Sequence, residues 1–546
     1  MANIKFILSR ISHFLMAPIV QNLHIWIVIY LMTTIFDVYY FCGRGEYVSI
    51  VTVMAGKLLF SYLWVLPLGL KTKWIKKIYL IGVLSIVTIF SLIDGFCVIK
   101  LGARFNENFV AMIKGSNPAE VLEFFENYGI SQFLVLLVIA IVALVAVCFL
   151  FRGIREKLPK WIKGTIALAV ALSAILVSCT FSSWLNYMII GKCLMFTAKT
   201  ENYDYKEYYT DLNLASKHND APQNVVLIIG ESLSRQHCQL FGYEQNNQPC
   251  LSKLKDDSLL YTFDKVRSVD VVTTLNFKGF MSTYDPARHD KEEWYKHTTF
   301  IEVMQKCGYA THWISNHSKK GFHDNIIGRY ADLCDTLHYN DWYSSSYNYV
   351  KYDESLLAPI EDFKNKATKE RNFYVCHLMG SHYAFSSRYP EQYSQYTPQD
   401  YAHIPENQRE KIAEYDNTVL YNDYVVSSII SMFADEDAVV VYFSDHGLDL
   451  YYSSDNYCGH STTAKGNEYA VQIPFMIYTS EQYKQRCPEI VEKMRKNEHA
   501  EYCTADLIYL LMDIVGVDFA DDPQVKNHTL LKMQSCESEI TKSVNN

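Results

Sequence analysis

Nowhere does this chain carry a CxxC pair or a Cys/His cluster of zinc-finger spacing, although it has fourteen cysteines. That absence argues against a small zinc-stapled module. An excess of basic charge is missing too: the formal net charge is −9. Nucleic acid is therefore a poor partner. There is no internal repeat and no low-complexity tract. The first apolar run has no small-residue cleavage site after it, so it does not read as a removable signal peptide.

What is present divides in two. A chain of 546 residues, 49% hydrophobic and 20% charged, is too long for one core. The first 190 residues are very apolar, and the rest are polar, acidic and rich in tyrosine. Cys42, Cys97, Cys148, Cys179 and Cys193 lie in or beside the apolar part, and nine cysteines lie in the polar part. If the polar part is outside the cytoplasm, disulfides are open to it, with no connectivity readable from sequence.

Five apolar runs have the roughly 20 residues that a bilayer requires: Leu23–Phe41, Ile50–Leu70, Ile78–Val98, Gln132–Phe151 and Thr165–Leu185. Lys71, Lys73, Lys76 and Lys77 crowd the link between the second and third. Arg152, Arg155, Lys157, Lys160 and Lys163 crowd the link between the fourth and fifth, and Lys5 and Arg10 precede the first. Positive charge marks the cytoplasmic side, so an odd number of spans puts the polar part outside. Asp37 and Asp94 then fall near the outer ends of their helices. They read either as intramembrane functional carboxylates or as wet groups at the interface. The outer loop 99–131 contains Ser116 and Glu120, and Asn117-Pro118 opens a short helix over Ala119–Phe125. Such a loop suits one wall of a lipid-headgroup site. These patterns give a membrane domain over 1–190, a linker over 191–220 and an outer domain over 221–546. The linker is rich in tyrosine, which favours a bridge along the membrane surface as much as a solvated tether.

The outer domain alternates strand and helix patterns, as in an α/β fold with a largely parallel sheet. Asn224–Gly230 is a buried-strand run ending in Glu231-Ser232, with a helix start over Leu233–Phe241. Thr273 and Thr274 open a helix-like run with Phe277 and Met281 at helical spacing. Such a threonine is either a cap or a nucleophile at the positive end of the helix. Further strands run over Cys307–Asn316, Asn372–Leu378 and Gln472–Tyr478, with helices over Glu414–Ile430 and Ala500–Val515. Val439–Phe443 is another buried strand, and Asp445 and His446 stand at its tip, where open α/β sheets place their chemistry. Two carboxylates and one imidazole, Glu231, Asp445 and His446, suit zinc better than magnesium. A threonine hydroxyl completes a tetrahedral set and, on zinc, becomes a nucleophile near neutral pH. Four histidines share the predicted rim: His317, His382, His446 and His460. Two of these, His382 and His460, are candidates to hold substrate oxygens or protonate a leaving group.

Taken in order, NVVLIIGESLSRQHCQLFGY (224–243), Thr274, HLMGSHYAF (377–385), YDNTVLYNDY (415–424), FSDHG (443–447) and the GH at 459–460 resemble one family. It is that of the bacterial lipid A and lipopolysaccharide phosphoethanolamine transferases, in the alkaline phosphatase/sulfatase superfamily. Five spans followed by an outer sulfatase-like domain is also that family's plan. The resemblance implies transfer of phosphoethanolamine from phosphatidylethanolamine to lipid A, lipopolysaccharide core or a related glycan. It implies an inner-membrane, multi-pass enzyme with its catalytic domain in the periplasm. It implies zinc on Glu231, Thr274, Asp445 and His446, with Thr274 as nucleophile because Met281 lies seven residues on. The resemblance implies His382 and His460 in substrate or second-metal binding, and Ser116 and Glu120 fall where the family meets the ethanolamine head; Asn316, polar at its strand tip, is a further substrate-binding candidate. The chain departs from the family in three places. Leu448 stands where an acid is common, Phe277 stands where a serine is common, and no cysteine pair flanks the nucleophile helix. A true sulfatase is disfavoured because no CxPSR-type motif surrounds Thr274. The rivals are a phosphoglycerol transferase like lipoteichoic acid synthase and a non-catalytic, membrane-anchored binding protein.

Overall fold

A computed structural model describes residues 18, 21–43, 46–69, 72–100, 104–105, 212–216, 220–289, 291–317, 326–340, 352–453, 457–460, 467–520 and 528–531. These fall into two compact units, one before Val110 and one after Glu201.

The first unit contains three helices long and apolar enough to cross a bilayer. They are α1 (Leu23–Gly43), α2 (Tyr47–Val65, continued by a 3-10 turn to Gly69) and α3 (Lys73–Lys100). At about 1.5 Å per residue each spans on the order of 30 Å. Leu31, Ile35, Ile78 and Ile81 are exposed apolar side chains, a surface that suits lipid rather than water. Asp37 is not a wet interfacial group. It is fully buried between Lys57, 3.2 Å away, and Arg104, 2.7 Å away. Asp94 accepts the Phe105 amide at 3.0 Å. Spans four and five, most of the linker, and the loop carrying Ser116 and Glu120 lie outside the described residues.

The second unit is built on a seven-stranded sheet. In chain order its strands are β1 (Asn224–Gly230), β2 (Leu260–Thr262), β3 (Ala310–Ser315), β4 (Thr336–Tyr339), β5 (Asn372–His377), β6 (Ala438–Ser444) and β7 (Phe475–Thr479). Across the sheet the order is β2-β7-β6-β1-β5-β3-β4. Only β7 pairs antiparallel, with β6 on one side and β2 on the other. The α/β expectation therefore holds, with one reversed strand.

Strand β1 shows why its sequence is apolar without alternation. Val225, Leu227 and Ile229 enter one core, and Val226 and Ile228 enter the other. Helices cover both faces, so both sets are buried. Each such side chain contributes roughly 1.5–3 kcal/mol. Register brings the tips level: Gly230 faces Ser444 on β6, and Ile229 faces both Phe443 and His377.

Three expectations change. Leu233–Phe241 forms two 3-10 turns, Arg235–His237 and Gln239–Phe241, instead of one α-helix. Its first amides are captured elsewhere: Leu233 by Ser444 Oγ, Ser234 by the Tyr415 hydroxyl and Arg235 by the Gln472 carbonyl. Leu214–Ser216, placed in the linker from sequence, is a short strand paired with Val517–Phe519. The late helix expected over Ala500–Val515 is also shorter, Leu507–Ile514, because Tyr502 and Cys503 pair as a strand with Val266 and Arg267. Helix α4 is Thr273–Phe280, and helix α5, Glu406–Ser431, starts eight residues earlier than its predicted Glu414.

Candidate metal and nucleophile site

The tips of β1 and β6 and the first turn of α4 meet at one point. Glu231 follows β1 and Asp445 and His446 follow β6, all three buried. His446 Nε2 lies 3.2 Å from Glu231 Oε1 and 3.6 Å from Asp445 Oδ2. The Thr273 hydroxyl lies 3.3 Å from Glu231 Oε2 and 3.3 Å from His446 Nε2. This corrects the sequence choice between the two threonines: Thr273, not Thr274, faces the cluster. Helix α4 begins at Thr273, and adjacent residues on a helix point in directions about 100° apart.

Each group has one atom tied and one directed inward. His446 Nδ1 donates to the Gly447 carbonyl at 2.9 Å, which directs Nε2 into the cluster. Asp445 Oδ1 accepts the Ser232 amide at 3.2 Å and the His446 amide at 2.6 Å. Asp445 Oδ2 is buried with no hydrogen-bond partner. A tetrahedral zinc with bonds of about 2.0–2.1 Å needs ligand atoms about 3.3 Å apart. The observed separations lie between 3.2 and 3.6 Å, with His446 Nε2 near Glu231 Oε1 and Asp445 Oδ2, and the Thr273 hydroxyl near Glu231 Oε2 and His446 Nε2. Glu231, Asp445 and His446 therefore fit a zinc ion, and the Thr273 hydroxyl lies beside them.

Electrostatics point the same way. Burial opposes the charge of Glu231, but His446, backed by His382 and His317, holds its carboxyl well below the usual range. Burial, then the Glu231 charge, pushes Asp445 up to about 8. Burial disfavours charge on His446, yet Asp445 and Glu231 raise it to about 9. Two buried carboxylates compete for one imidazolium, and a divalent cation relieves that competition.

His460 and His382 flank the cluster. The His460 ring centroid is 4.3 Å from that of His446, and its Nδ1 is buried without a partner. Burial, then His446, pushes His460 down to about 3. Burial, then Arg388, pushes His382 down to about 4. Arg388 also donates to the His382 and Tyr383 carbonyls, at 3.2 and 2.8 Å. Both histidines are therefore neutral near pH 7.

His317 stacks face to face on His377, at 4.0 Å and 4°. Asn316 is a correction. It is fully buried, its Nδ2 donates to Asp353 Oδ1 at 2.7 Å, and its Oδ1 accepts from Asn340. The Asn316 amide is thus part of the wall, with no free edge for substrate. Sequence reasoning also missed three supporting residues. Ser232 touches both ligand carboxylates. Asp353 ties down the Met379-Gly380 turn, and Arg388 holds the His382 loop. Only Ser232 carried a signal, by standing next to Glu231.

A sulfatase family model matches residues 223–517. Phosphoethanolamine transferase EptC of Escherichia coli is 25% identical over 495 residues, covering 85% of this chain and 84% of that protein. Phosphoethanolamine transferase CptA of Salmonella typhimurium is 24% identical over 497 residues, again 85% and 84%. The solved periplasmic domain of the E. coli EptC, in complex with Zn, superposes with a TM-score of 0.52 at 25% identity, over 60% of this chain and 91% of that one. The integral membrane transferase EptA of Neisseria meningitidis superposes with a TM-score of 0.63 at 16% identity, over 93% of this chain and 96% of that one, and shares the fold. The chain belongs to the sulfatase family, and its near-full-length relatives within that family are phosphoethanolamine transferases.

Proposed function

We propose that this chain is a zinc-dependent phosphoethanolamine transferase of the bacterial inner membrane. Its donor is phosphatidylethanolamine, and its acceptor is lipid A, lipopolysaccharide core or a related glycan. The domains run 1–190 in the membrane, 191–220 as linker and 221–546 in the periplasm. The basic links between apolar runs support that orientation. Ser116 and Glu120 remain the candidates for the ethanolamine head.

One observation carries the chemical reading: a threonine hydroxyl at a helix start, 3.3 Å from both a buried carboxylate and a buried imidazole. Glu231, Asp445, His446 and Thr273 would hold the zinc. When bound, zinc lowers the pKa of the hydroxyl and offsets charge on the phosphoryl group.

The chain's own residues carry out the transfer. Thr273 Oγ bonds to the donor phosphorus as the phosphorus–oxygen bond to diacylglycerol breaks. The proton lost from the Thr273 hydroxyl ends on the released diacylglycerol oxygen, so the step is balanced. An acceptor hydroxyl oxygen then attacks the phosphorus of the phosphoethanolamine-threonine, the bond to Thr273 Oγ breaks, and the acceptor's hydroxyl proton returns to Thr273. His382 and His460, as neutral imidazoles, hold phosphoryl oxygens through N–H donors.

The test is intact-mass and peptide analysis of the full chain after exposure to labelled phosphatidylethanolamine. A phosphoethanolamine adduct on Thr273, abolished by a chelator, is expected. No adduct on a zinc-loaded, folded protein rejects the mechanism. Labelling by phosphatidylglycerol instead favours the phosphoglycerol transferase, and no metal uptake favours the binding-protein reading.

A further inference from the structure

Ser232 is the residue after Glu231, buried and held at φ 58°, in the left-handed region that serine rarely occupies. The fold over-determines that conformation. The Tyr415 hydroxyl donates to the Ser232 carbonyl at 2.8 Å and accepts the Ser234 amide at 2.7 Å. The Ser381 amide holds the Glu231 carbonyl at 2.9 Å. Strain kept in place at a site is a cue to function.

The left-handed turn sends two donors of one residue to two different carboxylates. The Ser232 amide donates to Asp445 Oδ1 at 3.2 Å, and the Ser232 hydroxyl donates to Glu231 Oε1 at 2.7 Å. Asp445 Oδ2 is buried without a partner, Glu231 Oε2 lies 3.3 Å from the Thr273 hydroxyl, and Glu231 Oε1, while held by Ser232, lies 3.2 Å from His446 Nε2.

We infer that Ser232 is a positioning residue that fixes the rotation of both carboxylates, holding Glu231 by Oε1 and Asp445 by Oδ1. Without the Ser232 hydroxyl, Glu231 is free to rotate, and the arrangement of Glu231, Asp445, His446 Nε2 and Thr273 Oγ1 around a metal is no longer held. This inference rests on the zinc reading proposed above.

The test uses the full chain, purified in detergent and freed of metal, with Co(II) as the probe. The variants are Ser232→Gly, which accepts a positive φ and keeps the amide, and Ser232→Ala, which keeps a Cβ but loses the hydroxyl. Loss of a supporting hydrogen bond of this kind costs about 10–100-fold in metal affinity. Both variants should bind Co(II) more weakly by that factor and lose the intense visible bands of four-coordinate cobalt. A merely structural serine would not change the spectrum. Unchanged affinity and spectrum in both variants overturn the inference while leaving the metal site intact. A wild-type chain that takes up no Co(II), or an Asp445→Asn variant that binds it as well as wild type, overturns the metal site and this inference together.

Discussion

Asp353 Oδ2 accepts the Gly380 amide at 2.8 Å, while its Oδ1 accepts the Met379 amide at 2.8 Å and the Asn316 side chain at 2.7 Å. One buried carboxylate therefore fixes the turn that leads to His382. Gly380 takes φ 52°, and a Cβ there would stand 2.6 Å from the Glu231 carbonyl oxygen. Asp353→Asn turns an NH2 group toward donors that need an acceptor. An unpaired buried donor costs about 1–3 kcal/mol, and denaturant unfolding of the variant should show a loss of that order. A rise in KM for the donor should accompany it as His382 loses its setting.

Thr273→Ala should abolish transfer and adduct formation, because the Thr273 hydroxyl lies 3.3 Å from both Glu231 and His446. Thr274→Ala should keep most of the activity. Steady-state rates and peptide mapping of the two variants decide between them. Full activity in Thr273→Ala would return the role to Thr274.

His382 makes stability depend on pH in a fixed direction. Its folded pKa is depressed to about 4 by burial and then by Arg388, against an unfolded value of 6.5. The unfolded chain thus binds the extra proton first. This contribution is complete above pH 6.5 and is lost as pH falls toward about 4. It amounts to roughly 3 kcal/mol at about 1.4 kcal/mol per unit. Denaturation midpoints from pH 7.5 to 4.5 should fall for the native chain and fall less for His382→Gln.

Asp37 is buried between Lys57 and Arg104. Removing one partner of a buried ion pair costs about 3–5 kcal/mol because the remaining charge is uncompensated. Asp37→Asn should lower the thermal stability of the detergent-purified chain by an amount of that order. Adding Lys57→Met should recover part of the loss, which a double-mutant cycle would measure.

Much of the fold is legible in the sequence because burial on both faces leaves a compositional mark. Val225–Ile229 and Val439–Phe443 have no polar alternation, and both are central strands. Glu231, Asp445 and His446 were also legible, because each follows such a strand directly and parallel register brings strand tips together. The helix expected over Leu233–Phe241 was not, because tertiary acceptors took its opening amides.

The sequence by itself determined the apolar amino-terminal part, the α/β plan and three of the four residues that meet at the candidate site. Those follow from composition and adjacency, which local physics reads well. Only the tertiary structure decided that Thr273 rather than Thr274 faces the cluster, since the two differ by one helical step. Only it showed that Asn316 is consumed by Asp353, 37 residues away. Only it placed Ser232 at φ 58° between two carboxylates, one of them 213 residues distant. Direction and long-range pairing are set by packing, and no local pattern encodes them.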